Sequence, residues 1–187
     1  MNKEYITKDS GKRKEFASGM KRDTNEGKPR PDLVYYPVAR DIVKMKPSHR
    51  DYEAEVVRTA YDLVEEVQDK EYDKPYFTDT LEELKQDLIN YVDVKYGWDA
   101  QDVLQRVTGV MTRGAQKYTE HNWKQAEGEE ELNRFAESML RHLLQFVRGE
   151  DDEDHLAAVW FNIGGIEYVV SKLYDPLAEL IAKSKEV

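Results

Sequence analysis

The sequence predicts an all-α fold, a helical bundle with an irregular N-terminal arm. Apolar residues recur at helical spacing in one segment after another past residue 51. Glycine, proline and aspartate punctuate these segments at helix-length intervals, and no internal repeat or heptad array runs through them.

The arm up to about Asp32 has no periodicity and is rich in Gly, Lys and Pro. Leu33 to Val43 is apolar, extended at first and helical after Pro37, and Lys46-Pro47-Ser48 breaks it. Val57, Ala60, Tyr61, Val64 and Val67 then form a helical stripe that Asp73-Lys74-Pro75 ends. Thr80 and Glu83 have the spacing of a capping box before Leu84, Leu88 and Tyr91, and Gly97 closes that segment. Asp99 is positioned to cap a helix through Val103, Val107 and Val110, with Gly114 loosening its end and Lys117 to Trp123 left as a loop. The clearest helix carries Leu132, Phe135, Met139, Leu143 and Phe146 and stops at Gly149. Another begins among Asp151–Asp154 and runs through Leu156, Val159, Trp160, Ile163, Ile166 and Val170. A short final helix follows Pro176.

The 187 residues suit one domain, and 40% hydrophobic with 35% charged residues is on the polar side for a helical protein. No apolar run approaches the roughly 20 residues of a membrane span, and no signal peptide is visible. With no cysteine, disulfides, a thiol nucleophile and thiolate-bound zinc are excluded, and a cytoplasmic setting is expected. The net charge of −10 argues against tight binding to bulk nucleic acid or to membrane surfaces. The first thirty residues nevertheless hold nine lysines and arginines. They form either a solvated tail or an arm that reaches anionic phosphates.

On the helix after Gly149, Asp151, His155, Ala158 and Asn162 fall at i, i+4, i+7 and i+11 beside the apolar stripe, with Asp154 one step further round. Polar groups flanking a small alanine next to a core face would line a cleft. His142 lies at the edge of the preceding helix's apolar stripe. Antiparallel packing across the Arg148–Asp152 turn would bring it near Asp151 and His155, a set of donors for one or two divalent ions. Simple N-terminal capping is the competing reading of the acids. Glu137 reads as a surface i,i+4 partner of Arg141. Glu167, on the apolar stripe, is either paired or part of the cleft.

Two further polar sets stand out. Ser18 to Leu33 combines Gly19 and Gly27 with Arg22, Lys28 and Arg30, which suit phosphate oxygens, although the spacing is not that of a Walker loop. Lys117, Tyr118, Asn122 and Trp123 form the other. Their aromatics either stack on a base or pin the loop to the core, and the Asn122 amide can read a purine edge or bind ribose.

The ordered blocks S-G-x-x-R-D-x-x-x-G-K-P-R-x-D-L, G-A-x-K-Y-x-x-x-N-W, R-F-x-x-S-x-x-R-H-L and G-E-x-x-E-D-H-x-A-A-x-x-x-N resemble the phage-associated dATP/dGTP diphosphohydrolase family, related to the MazG-like all-α nucleotide pyrophosphohydrolases. The resemblance covers about residues 16–40 and 103–170. It implies a single nucleotide pyrophosphohydrolase domain over 1–187, with 1–15 a flexible arm and about 45–96 a helical insertion that builds an oligomer interface or covers the pocket. It also implies hydrolysis of dGTP or dATP to the monophosphate and pyrophosphate in phage nucleotide-pool metabolism, in the host cytoplasm, by a homo-oligomer. The sequence departs from MazG-like enzymes in lacking the second acid of their paired motif on the E-D-H-L-A-A-V helix. Glu65, Glu66, Asp69, Glu82, Glu83 and Asp87 loosely imitate those pairs. They read as solvent-facing charges, with a metal site there the main rival location.

In this reading Mg²⁺, with Mn²⁺ as an alternative, is held by Glu150, Asp151, Glu153 and Asp154. His142, His155 and Asp154 form the catalytic set, the imidazoles chiefly orienting carboxylates. Arg22, Lys28, Arg30 and Lys117 neutralise the polyphosphate, and Tyr118, Asn122, Trp123 and Asn162 surround the nucleoside or metal-bound water. Two rivals remain. One is an HD-type phosphohydrolase, whose histidine–aspartate order is reversed here at Asp154-His155. The other is a non-catalytic acidic phage-type protein that binds a host factor or sequesters nucleotides.

Overall fold

The computed structural model describes residues 11–24, 52–71 and 75–173. Lys28, Arg30, the Leu33–Val43 segment and the helix expected after Pro176 lie outside the described residues. Within them the chain is all-α apart from one small hairpin, as expected. The elements are β1 (Arg13–Glu15), β2 (Lys21–Asp23), α1 (Tyr52–Gln68), α2 (Pro75–Tyr96), α3 (Ala100–Lys117), a 3-10 turn (Asn122–Gln125), α4 (Glu129–Val147) and α5 (His155–Leu173). No described helix is long and apolar enough to cross a membrane.

The core is built on α4 and α5, which run antiparallel. His142 meets His155 next to the connecting turn, and further from it Phe135 meets Phe161 and Gly165. Gly149 makes the reversal possible, since its φ of 77° is strained for any side chain. At Gly165 the helices approach so closely that an added Cβ would lie 2.3 Å from the Phe135 ring. α1 packs on α2 and on α4, and α3 packs on α5. Within the stretch read as an insertion, Val56, Leu63, Val67, Phe77, Leu84 and Leu88 are buried in the same core as Leu140, Leu143 and Ile163.

Some local expectations hold and others change. Asp99 caps α3, accepting from the backbone N–H groups of Gln101 and Asp102, as its position suggested. Gly97, with φ 79°, follows the end of α2. Gly114 does not end α3, which continues to Lys117. Thr80 caps nothing. Proline opens α2 five residues earlier, where its missing N–H is harmless, and the Thr80 hydroxyl bonds Glu66 Oε1 and the Tyr76 carbonyl. The arm is not irregular where it is described. Arg13–Glu15 pairs antiparallel with Lys21–Asp23, and the turn between them buries Phe16 and Met20.

α3 is the least embedded helix. Of its residues only Val103 is buried, while Leu104 is 67% exposed. Trp98 packs against Trp160 at its entry, and Arg106 forms a bidentate pair with the buried Asp154.

Candidate active site

The polar faces of α4 and α5, the hairpin and the C-terminal half of α3 enclose a cavity of about 760 Å³. That is within the usual range for small-molecule sites. Nine polar or charged residues are buried among those described, and six of them line this cavity: Asp23, Arg134, Ser138, Arg141, Asp154 and Asn162. Buried charge on this scale is uncommon unless it is paired or functional.

The cationic wall starts from helix periodicity. Arg134, Ser138, Arg141 and Gln145 fall at i, i+4, i+7 and i+11 on α4, and all four line the cavity. Arg22 enters from β2. Its Nη1 and Nη2 donate to Asn162 Oδ1 at 3.2 Å, Nη2 also reaches Ser138 Oγ at 3.3 Å, and the guanidinium lies 4.8 Å from the centre of the Phe135 ring. Withdrawal from water, and then the charges of Arg134 and Arg141, push the Arg22 guanidinium down to about 9. Arg141 Nη2 donates to Ser138 Oγ at 2.9 Å, and Arg134 Nη2 to the Asp23 carbonyl at 2.9 Å. Arg22 and Arg141 thus share the Ser138 hydroxyl, with Arg134 close enough for its charge to act on Arg22, and an anion would relieve this mutual repulsion.

Arg22 and Asn162 are therefore together in the site. Lys117 and Tyr118 also line it but hold the hairpin. Lys117 Nζ lies 2.7 Å from Asp23 Oδ2, and the Tyr118 hydroxyl donates to Asp23 Oδ1 at 3.0 Å. Burial and the Asp23 charge raise the Tyr118 phenol above its ordinary value. Asn122 serves the backbone: its Oδ1 accepts from the Lys21 N–H at 3.2 Å and its Nδ2 donates to the Lys21 carbonyl at 3.0 Å. Trp123 lines the cavity with its ring edge-on to Tyr168 at 5.1 Å, which is the loop-pinning alternative.

The acidic rim differs in detail from the expectation. α5 starts at His155, so Asp151 belongs to the preceding turn, is exposed, and does not share a helical face with His155. Its neighbour Asp152 is the residue that reaches the imidazole, Oδ1 to Nε2 at 2.9 Å. His142 and His155 do converge, Nδ1 to Nδ1 at 3.0 Å. Asp154 is occupied structurally. It accepts from Arg106 Nε at 3.0 Å and Nη2 at 2.7 Å, and from the Ala157 N–H at 3.1 Å, so it caps α5 and anchors α3. Glu150 is exposed and accepts from Gln145 Nε2 at 3.0 Å, whereas Glu153 lines the cavity. Among the described residues, two sets have donor atoms close enough for one metal ion: His142, Glu153 and His155, and Glu150, Asp152 and His155.

Two surface assignments change. Arg141 is buried rather than exposed, and Glu137 pairs with Arg134 at 3.6 Å. Glu167 is paired, with Lys85. Of the rival acids, Glu65, Glu66, Asp69 and Glu83 line a separate cleft of about 450 Å³ between α1 and α2, together with Asp62. Asp62 is pushed up to about 6 by burial and then by Glu65 and Glu83.

Guanidinium groups on a cavity wall have the geometry to bind the oxygens of phosphorylated small molecules. Residues 82–172, from within α2 almost to the end of α5, match the family model described as dATP/dGTP diphosphohydrolase, N-terminal. No curated protein and no solved structure matches the chain.

Proposed function

We propose that the protein hydrolyses dATP, dGTP or both to the monophosphate and pyrophosphate, serving phage nucleotide-pool metabolism in the host cytoplasm. The observation that carries this reading is the convergence of Arg22, Arg134 and Arg141 in a nucleotide-sized cavity, with Lys117 also on its wall. A triphosphate would bring negative charge to these guanidiniums. The family description supports the substrate.

In the reaction a water oxygen bonds to the α-phosphorus, the bond from that phosphorus to the α–β bridging oxygen breaks, and pyrophosphate leaves with the charge of that oxygen facing the arginines. The water's proton passes into the imidazole–carboxylate rim of His142, His155 and Glu153. A divalent cation, Mg²⁺ or Mn²⁺, supplies charge neutralisation and a more acidic water when bound. The rim offers a carboxylate for such an ion, and Glu153, on the cavity wall, is that carboxylate in this proposal. Asn162 holds Arg22 in place, and Phe135 and Phe161 give the cavity an apolar side. Assembly into a homo-oligomer is part of the reading, supported by the exposed Leu104 and Met111 on α3.

The test is a panel of the four dNTPs with Mg²⁺ or Mn²⁺, scored separately for pyrophosphate and triphosphate release. Pyrophosphate from a purine substrate is expected. Triphosphate release, or no turnover of any dNTP, would reject the assignment.

A further inference from the structure

We infer that His142, Glu153 and His155 form a binding centre for a divalent cation that favours imidazole nitrogen, of the Mn²⁺, Co²⁺ or Zn²⁺ type, with Asp152 as the carboxylate that orients the buried imidazole. This goes beyond the hydrolysis proposed above, because cation binding at these residues needs no nucleotide.

The argument begins with the two imidazoles. His142 closes the inner face of α4 and His155 opens α5, so the tight turn at Gly149 brings their rings together, Nδ1 to Nδ1 at 3.0 Å. An ion with bonds of about 2.1 Å and angles of about 90–110° separates adjacent donor atoms by about 3.0–3.4 Å, so these nitrogens have the bite of a single centre. Glu153 brings a carboxylate oxygen to the same point: donor atoms of all three residues lie within 4.8 Å of one another.

The other side of His155 supplies a second, independent indication. Its Nε2 lies 2.9 Å from Asp152 Oδ1, and the residue is only 2% exposed. A carboxylate there keeps the proton on Nε2 and leaves the Nδ1 lone pair directed at His142. Metal-bound histidines are commonly held in this way by a carboxylate behind the ring. The overlapping set of Glu150, Asp152 and His155 would use Nε2 instead, sacrificing that hydrogen bond, and its two carboxylates are exposed.

Donor chemistry then selects the ion. Two nitrogens and one carboxylate suit first-row transition cations, whereas Mg²⁺ prefers an all-oxygen shell. The centre lies on the rim of the cavity that holds the three arginines, so a bound phosphate chain would have guanidiniums on one side and the cation on the other.

The experiment uses the full-length, chelator-treated protein without nucleotide, titrated with Mn²⁺, Zn²⁺ and Mg²⁺ by calorimetry. One Mn²⁺ or Zn²⁺ per chain is expected, bound at least about 10-fold more tightly than Mg²⁺. Asp152→Asn is expected to weaken binding by about 10- to 100-fold while keeping the stoichiometry. His142→Ala and Glu153→Gln each weaken it by at least about 10-fold, whereas Glu150→Gln leaves it unchanged. Pulsed electron paramagnetic resonance of bound Mn²⁺ in the unmutated protein is expected to show ¹⁴N coupling, which keeps the proposal testable if a variant misfolds. Equal affinity for Mg²⁺ and Mn²⁺, absence of ¹⁴N coupling, or loss of binding only with Glu150→Gln overturns it. Cation binding without turnover would sink the hydrolase reading alone, and Mg²⁺-supported turnover without nitrogen coupling would sink this centre alone.

Discussion

Asp154 receives the Arg106 guanidinium through two hydrogen bonds, of 3.0 and 2.7 Å, while it caps α5 from the position just before the helix. One carboxylate therefore joins the sparsely buried α3 to the central helix pair. Asp154→Asn should lower stability by about 2–3 kcal/mol, less than the 3–5 expected for a wholly buried pair, because the Arg106 side chain is 28% exposed. Chemical denaturation measures this. Unchanged stability with lost cation binding would instead make Asp154 a metal ligand.

The depressed Arg22 value gives a pH signature. From about 9 upward to the ordinary arginine range the folded chain binds fewer protons at this group than the unfolded chain does, so its contribution to stability rises with pH across that window. Below 9 the charged guanidinium is held at a cost that pyrophosphate should offset. Pyrophosphate is expected to raise the melting temperature at pH 7–8, with the gain fading above pH 9. The Arg22→Gln variant should lose most of that gain at neutral pH. A pyrophosphate effect identical in the variant would contradict the anion site.

Gly165→Ala should cost about 1–3 kcal/mol, since its Cβ would overlap the Phe135 ring and one helix must move. Nucleotide affinity should fall as well, because the Arg22 guanidinium rests on that ring, 4.8 Å from its centre. Denaturation and nucleotide titration of the same variant check both parts. A variant as stable as the parent would show that the seam can widen freely.

Asp62 carries the opposite sign of linkage from a stabilising carboxylate. Its raised value makes its contribution most favourable at low pH, and that contribution is lost as pH rises through about 6. Asp62→Asn should therefore be more stable than the parent at pH 7.5 and no more stable near pH 4. Melting temperatures at the two values decide it, and equal stability at pH 7.5 would remove the argument.

Helix-period reading found α4, α5, the Asp99 cap and the Gly149 reversal because each rests on local chemistry. It also brought His142 to His155, since a short connection leaves two helices few ways to pack. The arginine wall was missed although Arg134, Ser138 and Arg141 repeat the spacing noticed for Asp151, His155 and Ala158. Arginines on a helix read as solvated charge until the burial of the opposite face is known. Asp151 and Asp152 could not be told apart, because choosing between them needs the helix start to within one residue. The hairpin was hidden for another reason. Three-residue strands of charged side chains carry no alternation, and their pairing is held by distant residues such as Asn122.

That Asn122 amide takes up both main-chain groups of Lys21, behaving as a one-residue third strand. Deuterium uptake at the Lys21 amide thus reports on a loop a hundred positions away. Loosening of the segment after α3 would register first as faster exchange beside Arg22, before any helix frays.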